Sequence, residues 1–564
     1  MSRPTRLGAG VAGAAALIAA VTLASRFVGF GRWLVQASEV GPNALGAAYT
    51  SANTLPNVLF EVVAGGALAG AAVPLLAVPL ARAIRSDVDR IASALLGWAL
   101  AVLVPLGVVV VVLARPLMRL FLPAGSEAQI DVGAGFLLAF AAQIPLYGLA
   151  VVLAGVLQAH RRFLGAALAP LLSSVVVIGV YVAFGLLSPG SNDDPSAVPE
   201  GALAVLGWGT TVGVAVLGLP LLVPVRRLGV RLRPTLRFPP GVAGRARALA
   251  VAGVGALVAQ QASILVTMRL ANDNGASGTF PVFLYTQAVY LLPYAVLAYP
   301  LATATFPRLA ETAARKDRVG FAALVSTSTR TLLVLAVLGA AALVAAAPAV
   351  EAAFVAFADG DVTGMGTALT WMAPGLLGYA LILHLSRALY ALDRGRAAVT
   401  ATAAGWLAVI GAQVLAVRLL TPAGGAQAPT LRGLAIGTSV GMAVAGVALL
   451  AAVVRAVGTG ALRGVARTAA GLVVGGTAGA LAGRWMADAV LGPGIAGALV
   501  AGAAGGAVAA VVVLGTAWVT DRGALRTTRG TADAPDAPDG RGEVTNPSDA
   551  AGPARPASRP RGLG

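Results

Sequence analysis

Apolar runs long enough to cross a lipid bilayer recur along this chain as far as residue 519, and no other feature restricts its fold so strongly. A run of about eighteen or more such residues, wound as a helix, spans a hydrocarbon layer of about 30 Å. Hydrophobic residues make up 58% of the chain and charged residues 11%, with a mean hydropathy of +0.85. That is more apolar surface than a water-soluble core of this length can hide. The expected class is an all-α, multi-pass integral membrane protein.

Breaks at charged and Pro/Gly-rich positions divide the apolar sequence into about fourteen helices. The first six fall near 8–36, 44–80, 90–114, 131–158, 163–188 and 201–224. Six more fall near 248–271, 279–310, 320–348, 366–391, 397–420 and 432–455, and a last pair near 466–488 and 493–519. The implied organisation is an N-terminal lobe over 1–225, a C-terminal lobe over 226–460, additional helices over 461–520, and a tail over 521–564. The tail is rich in Ala, Pro, Gly, Asp and Arg without periodicity, so it is expected to be disordered and cytoplasmic.

The formal net charge of +17 comes from arginines clustered between apolar runs. No aromatic-rich soluble domain accompanies them, so a nucleic-acid partner is not expected; membrane lipids and topology account for the charge. Alternate loops hold the excess: Arg82, Arg85 and Arg90; Arg161 and Arg162; the connector from Arg226 to Arg247; Arg308 to Arg318; Arg394 and Arg396; Arg455 to Arg467. The intervening loops carry acids, among them Glu39, Asp193, Asp194, Glu200, Glu351, Asp359 and Asp361. Cytoplasmic loops concentrate basic residues, so both termini are expected inside. There is no cysteine, which removes disulfides and thiolate chemistry. The first apolar segment shows no cleavage site and is expected to stay as a helix.

An internal repeat is visible. Ala67-Leu-Ala-Gly-Ala-Ala-Val-Pro74 matches Pro300-Leu-Ala-Thr-Ala-Thr-Phe-Pro307, with Pro74 and Pro307 separated by 233 positions. Leu55-Pro56 precedes one copy and Leu292-Pro293 the other. Duplicated six-helix halves with prolines inside paired spans point to a transporter in which broken helices line a central cavity.

Several motifs carry a family resemblance. The first helix reads Ser25-Arg26-Phe-Val-Gly29-Phe30-Gly31-Arg32; the second reads Asn53-Thr-Leu55-Pro56-Asn57, then Gly65-Gly66-Ala67-Leu68 and Val73-Pro74. Gly155-Val-Leu-Gln-Ala-His-Arg-Arg-Phe163, Ala169-Pro170 and Leu292-Pro293-Tyr294 follow. In order and spacing these resemble the MurJ/MviN family of lipid II flippases, within the superfamily of multidrug and oligosaccharidyl-lipid exporters, over roughly the first twelve helices. Scarce lysine beside abundant Arg, Ala, Gly and Val fits a GC-rich, actinobacterial-like member. The resemblance implies a bacterial cytoplasmic-membrane protein that flips an undecaprenyl-diphosphate-linked peptidoglycan precursor by alternating access. It further implies transport without catalysis or cofactor, and cell-wall synthesis proteins as partners; the eleventh and twelfth helices carry no acid, so the sodium site of some relatives, and any other metal, is not expected.

Guanidinium groups bind phosphate oxygens through paired, charge-assisted hydrogen bonds, and a charge inside a span is costly unless it meets water or an anion. Arg26 and Arg32 are therefore candidate anchors, with Ser25, Asn53, Asn57, Glu61 and Gln287 as further substrate-binding candidates. The plainer alternatives are that Arg32 snorkels to head groups, that Arg26 pairs with a carbonyl or Glu61, and that Asn53 and Asn57 satisfy backbone groups freed beside Pro56. Six residues turn a helix by about 600°, leaving the two arginines some 120° apart, so one cavity receives both only if the helix bends near Gly29 and Gly31. The best-known family pattern places more cations on the second and eighth helices, where this chain has Phe60 with Glu61 and Gln287 with Ala288. A less positive cavity leaves another lipid-linked glycan as an alternative substrate. Arg269 either compensates or snorkels, and Glu61 either couples an ion or partners an arginine. Gln143, Gln158, Gln260, Gln261 and Gln287 read as interhelical amides with sugar contact as the alternative, His384 as packing rather than a proton relay, Arg330 as the start of its helix, and Gly475 with Gly479 as close helix contact. A membrane enzyme needs clustered carboxylates or a His pair that the loops lack. A scaffold acting through the tail is the remaining alternative.

Overall fold

Inside lipid each backbone N–H and C=O must find its partner within the protein, so apolar segments of this length become helices. The structure, a computed structural model, describes residues 5–190, 193–252 and 254–529, and all regular secondary structure among them is helical. Eleven helices are long and apolar enough to cross a membrane. A twelfth forms from Met365–Met372 and Gly375–Ala391, which meet at a 48° bend. The expected count of fourteen is not reached on this criterion. The two other expected spans coincide with the helix Thr5–Glu39 and with Ala44–Ala81, which is broken into shorter pieces.

That break reveals the repeat in three dimensions. Residues Glu61–Leu68 wind as a π-helix between Ala44–Phe60 and Ala69–Ala81. Tyr294–Ala298 do the same between Thr279–Pro293 and Tyr299–Ala314. The two π segments begin 233 positions apart, the spacing of Pro74 and Pro307. Proline removes one i→i−4 bond, and a wider turn is one way to re-register the ladder beyond it.

Hydrogen bonds between the lobes gather at the end carrying the acid-bearing loops. Asn43 caps the second helix by accepting from Gly46 N at 2.9 Å, and its Nδ2 donates to the Asp359 carbonyl at 3.3 Å. Asp359 N donates to Ala37 O at 2.9 Å. Asn272 Nδ2 donates to Ser51 Oγ at 2.9 Å and Phe121 O at 2.8 Å. Gly278 sits at φ +95°, where a Cβ would collide with the Pro42 carbonyl, so this contact requires glycine. The basic connector, expected at the start of the second lobe, lies along the first: Trp98 Nε1 donates to Leu236 O at 3.0 Å and Arg231 N to Asp89 at 3.0 Å.

The last two spans, Val465–Val490 and Gly494–Thr520, pack on each other and on Arg318–Val355. A Cβ on Gly475 would stand 2.5 Å from Thr516 Cβ, and one on Gly479 3.0 Å from Ala509 O, the close approach expected of that spacing. Two expectations are corrected here. Arg330 lies inside Arg318–Val355 rather than at its start, 21% exposed, and pairs with Asp521 at 2.9 Å. The tail is not without structure from 521, because Arg522–Arg529 is helical and Thr331 Oγ1 donates to Ala524 O at 2.9 Å. The rest of the expected tail, 530–564, lies outside the described residues.

Candidate functional site

Polar side chains in a bundle surrounded by lipid gather where they meet one another or water. Here they line a cavity of about 300 Å³ between the lobes. The first helix contributes Arg32, Trp33 and Gln36; the second contributes Tyr49, Thr50, Asn53, Asn57 and Glu61; Val254–Asn274 contributes Gln260 and Gln261. Four of the seven expected site residues, Arg32, Asn53, Asn57 and Glu61, therefore come together. Ser25, Arg26 and Gln287 are not among the lining residues.

Helix periodicity explains the second helix's share. Tyr49, Asn53, Asn57 and Glu61 are spaced by four, which holds them on one face. Asn57 is fixed at both ends: its Nδ2 donates to the Asn53 carbonyl at 2.7 Å, and its Oδ1 accepts from Tyr147 at 2.8 Å. Phe60 stacks on the Tyr147 ring at 4.5 Å. Deeper in the wall, Tyr49 shares hydrogen bonds with Tyr181 at 3.0 Å and Thr210 at 2.9 Å, and Gln36 Nε2 donates to Thr50 at 3.2 Å. Asn53 differs from these, because its buried Oδ1 has no partner. An unfilled acceptor in a cavity wall suits a hydroxyl or amide donor from a ligand.

The charges are arranged as separate groups. Arg32 lies over the Trp33 ring at 5.5 Å, and no ion pair among the described residues involves Arg26, Arg32 or Glu61. Glu61 is thus not the partner of an arginine, and it opens the π segment at the cavity. Arg269 pairs with Asp273 at 2.6 Å and lies outside the cavity lining, so it does not compensate there.

Arg26 faces elsewhere. The first helix runs unbroken through Gly29 and Gly31, so the 120° offset between the two arginines persists. The Arg26 guanidinium lies 5.8 Å from the Tyr299 ring, and Arg387 lies 5.9 Å from the same ring. Arg387 also donates to Thr303 Oγ1 at 3.0 Å. His384, one turn away, is buried and hydrogen-bonded to Ser328 at 2.9 Å, as packing requires.

Gln260 and Gln261, amides expected to bridge helices with sugar contact as the alternative, line the cavity, whereas Gln143 bridges by donating to Thr211 at 3.1 Å. The sequence did not single out Gln36, Tyr181 or Arg387 as site residues. Gln36, one helical turn beyond Arg32, carried a usable signal in that spacing. Tyr181 and Arg387 carried none, since each arrives from a distant helix.

A family model described as lipid II flippase MurJ matches residues 36–504. Among curated relatives, the lipid II flippase MurJ of Burkholderia cenocepacia is 29% identical over 393 residues, covering 66% of this chain and 72% of that protein. The "Probable lipid II flippase MurJ" of Rhizobium meliloti is 28% identical over 304 residues, 52% of this chain, so the chain spans about half (54%) of that relative's length. Among solved structures, a lipid II flippase MurJ in an inward closed conformation superposes with a TM-score of 0.70 at 17% identity, over 90% of this chain and 100% of that one. An inward-facing multidrug resistance transporter of the MATE family gives 0.59 at 17% identity, over 76% and 94%. These two likenesses concern the fold.

Proposed function

The chain belongs to the MurJ family of lipid II flippases, and on that premise we propose that it moves lipid II from the inner to the outer leaflet of a bacterial cytoplasmic membrane. No bond is made or broken in this process; the lobes alternate in exposing the cavity to the two faces. The observation that carries the reading is the cavity at Arg32, enclosed between two pseudo-repeated lobes and sealed at the acid-bearing end.

Each wall has a task in this scheme. Arg32, with no carboxylate to neutralise it, takes the substrate diphosphate through charge-assisted hydrogen bonds. The Asn53 Oδ1 accepts from a sugar or peptide donor, and Asn57, braced by Tyr147, keeps that face of the second helix in register. Glu61 answers the charge state of the cavity at the π break. A cavity of about 300 Å³ holds only part of a disaccharide-peptide head group, so the remainder extends toward the arginine-bearing end, which the loop charges assign to the cytoplasm. Release outward requires the Asn43–Asp359 and Asn272–Ser51 contacts to part.

Expression of this chain in cells depleted of their own lipid II flippase tests the reading. Lipid II that becomes accessible to an externally added cleaving enzyme supports it. Well-expressed protein with lipid II retained inside contradicts it and moves export of another lipid-linked glycan, or a non-transporting scaffold role, ahead.

A further inference from the structure

We propose that Arg387, which shares the Tyr299 ring with Arg26, is a second cationic anchor for the substrate diphosphate, at a station separate from the Arg32 cavity. The inference rests on the flippase reading and adds a residue and a position to it. Two arginines from opposite lobes stand against one aromatic ring, at 5.8 and 5.9 Å from its centre. None of the ion pairs among the described residues involves either of them. Like charges gathered within a membrane-spanning bundle are unfavourable unless water or an anion lies between them. A diphosphate offers two negative groups on adjacent phosphorus atoms, one for each guanidinium fork.

Arg387 is held ready for that role. Thr303 accepts its Nη1–H at 3.0 Å, while the Thr303 hydroxyl donates to the Tyr299 carbonyl at 2.8 Å. Its guanidinium also lies 5.9 Å from the Phe306 ring. These contacts occupy one donor and leave the remaining N–H groups of the fork for a ligand. Arg26 is exposed and reaches the ring from the first helix. Along that helix Arg26 precedes Arg32 by six residues, or about 9 Å, toward the arginine-bearing end. A diphosphate arriving from that end meets the Arg26–Arg387 station first and the Arg32 cavity second. The cations that the second and eighth helices lack are thus supplied partly from Gly375–Ala391.

The competing role for Arg387 is purely structural, tying Gly375–Ala391 to Tyr299–Ala314. Binding to full-length protein in nanodiscs separates the two, with undecaprenyl diphosphate, undecaprenyl monophosphate and undecaprenol as probes. Arg387→Gln is expected to weaken diphosphate binding about 10- to 100-fold, the value of a charged hydrogen bond, and to leave undecaprenol binding and melting temperature unchanged. Arg387→Lys is expected to recover part of the loss, because charge is kept and the fork is not. Equal diphosphate binding by wild type and Arg387→Gln overturns the proposal, as does an equal loss for undecaprenol. Failure of the flippase reading looks different: diphosphate binding that depends on Arg387, in a protein that leaves lipid II inside the cell, upholds the station and sinks the transport assignment.

Discussion

Six positions along an α-helix carry a side chain about 120° around its axis, and Arg26 and Arg32 keep that separation because their helix stays whole. That offset was legible in the sequence; what each arginine meets was not, since Tyr299 and Arg387 come from helices more than 270 positions away. Asn53 presents a buried acceptor without a partner in the cavity wall. Asn53→Ala should therefore weaken lipid II binding by about 1 kcal/mol, roughly fivefold, with the melting temperature unchanged, as read by titration in nanodiscs. At the sealed end, Gly278→Ala forces a Cβ into the Pro42 carbonyl at positive φ, a strain of about 1–3 kcal/mol. The expected outcome is a lowered melting temperature and faster thiol labelling of a cysteine placed at Thr363. The natural chain's lack of cysteine makes such a label unambiguous.

At the scale of elements, the apolar runs announced the spans because lipid leaves the backbone no alternative. The paired prolines announced that two of them would be interrupted. Neither runs nor prolines showed that the interruption would take the form of π turns at Glu61–Leu68 and Tyr294–Ala298, since re-registering the ladder after a proline is only one of several outcomes. Arg330 was misplaced because its partner Asp521 lies 191 positions away. Burial of the Asp521 carboxyl pushes its pKa up, but hydrogen bonds from Thr468 and Ala524 N and the Arg330 charge outweigh this and hold it below the usual carboxylate range. A pKa lowered by folding stabilises the folded state at pH above the unfolded carboxylate value and is lost as pH falls through the folded one. Stability should thus decline on acidification below about pH 4 in wild type, and this component should be missing in Asp521→Asn. At neutral pH that variant should lose about 1–3 kcal/mol, measured as a melting shift.

At the scale of the whole molecule, two lobes related by a 233-residue repeat meet through hydrogen bonds at one end and, at the other, through Arg26 on the Tyr299 ring. Contacts of this kind differ in what they need to part: neutral polar contacts such as Asn43–Asp359 and Asn272–Ser51 exchange with water, whereas unneutralised arginines exchange with anions. A carrier of a lipid-linked diphosphate requires both properties at opposite ends of one cavity. The seal was not legible from the sequence, because Asn43, Asp359 and Gly278 form it only once three separate loops converge. The most direct test is outer-leaflet lipid II in flippase-depleted cells carrying wild type or Arg32→Gln at equal membrane levels. Wild type is expected to restore surface lipid II and Arg32→Gln to lose most of it. Restoration by both alike would contradict the assignment of the Arg32 cavity as the substrate's path.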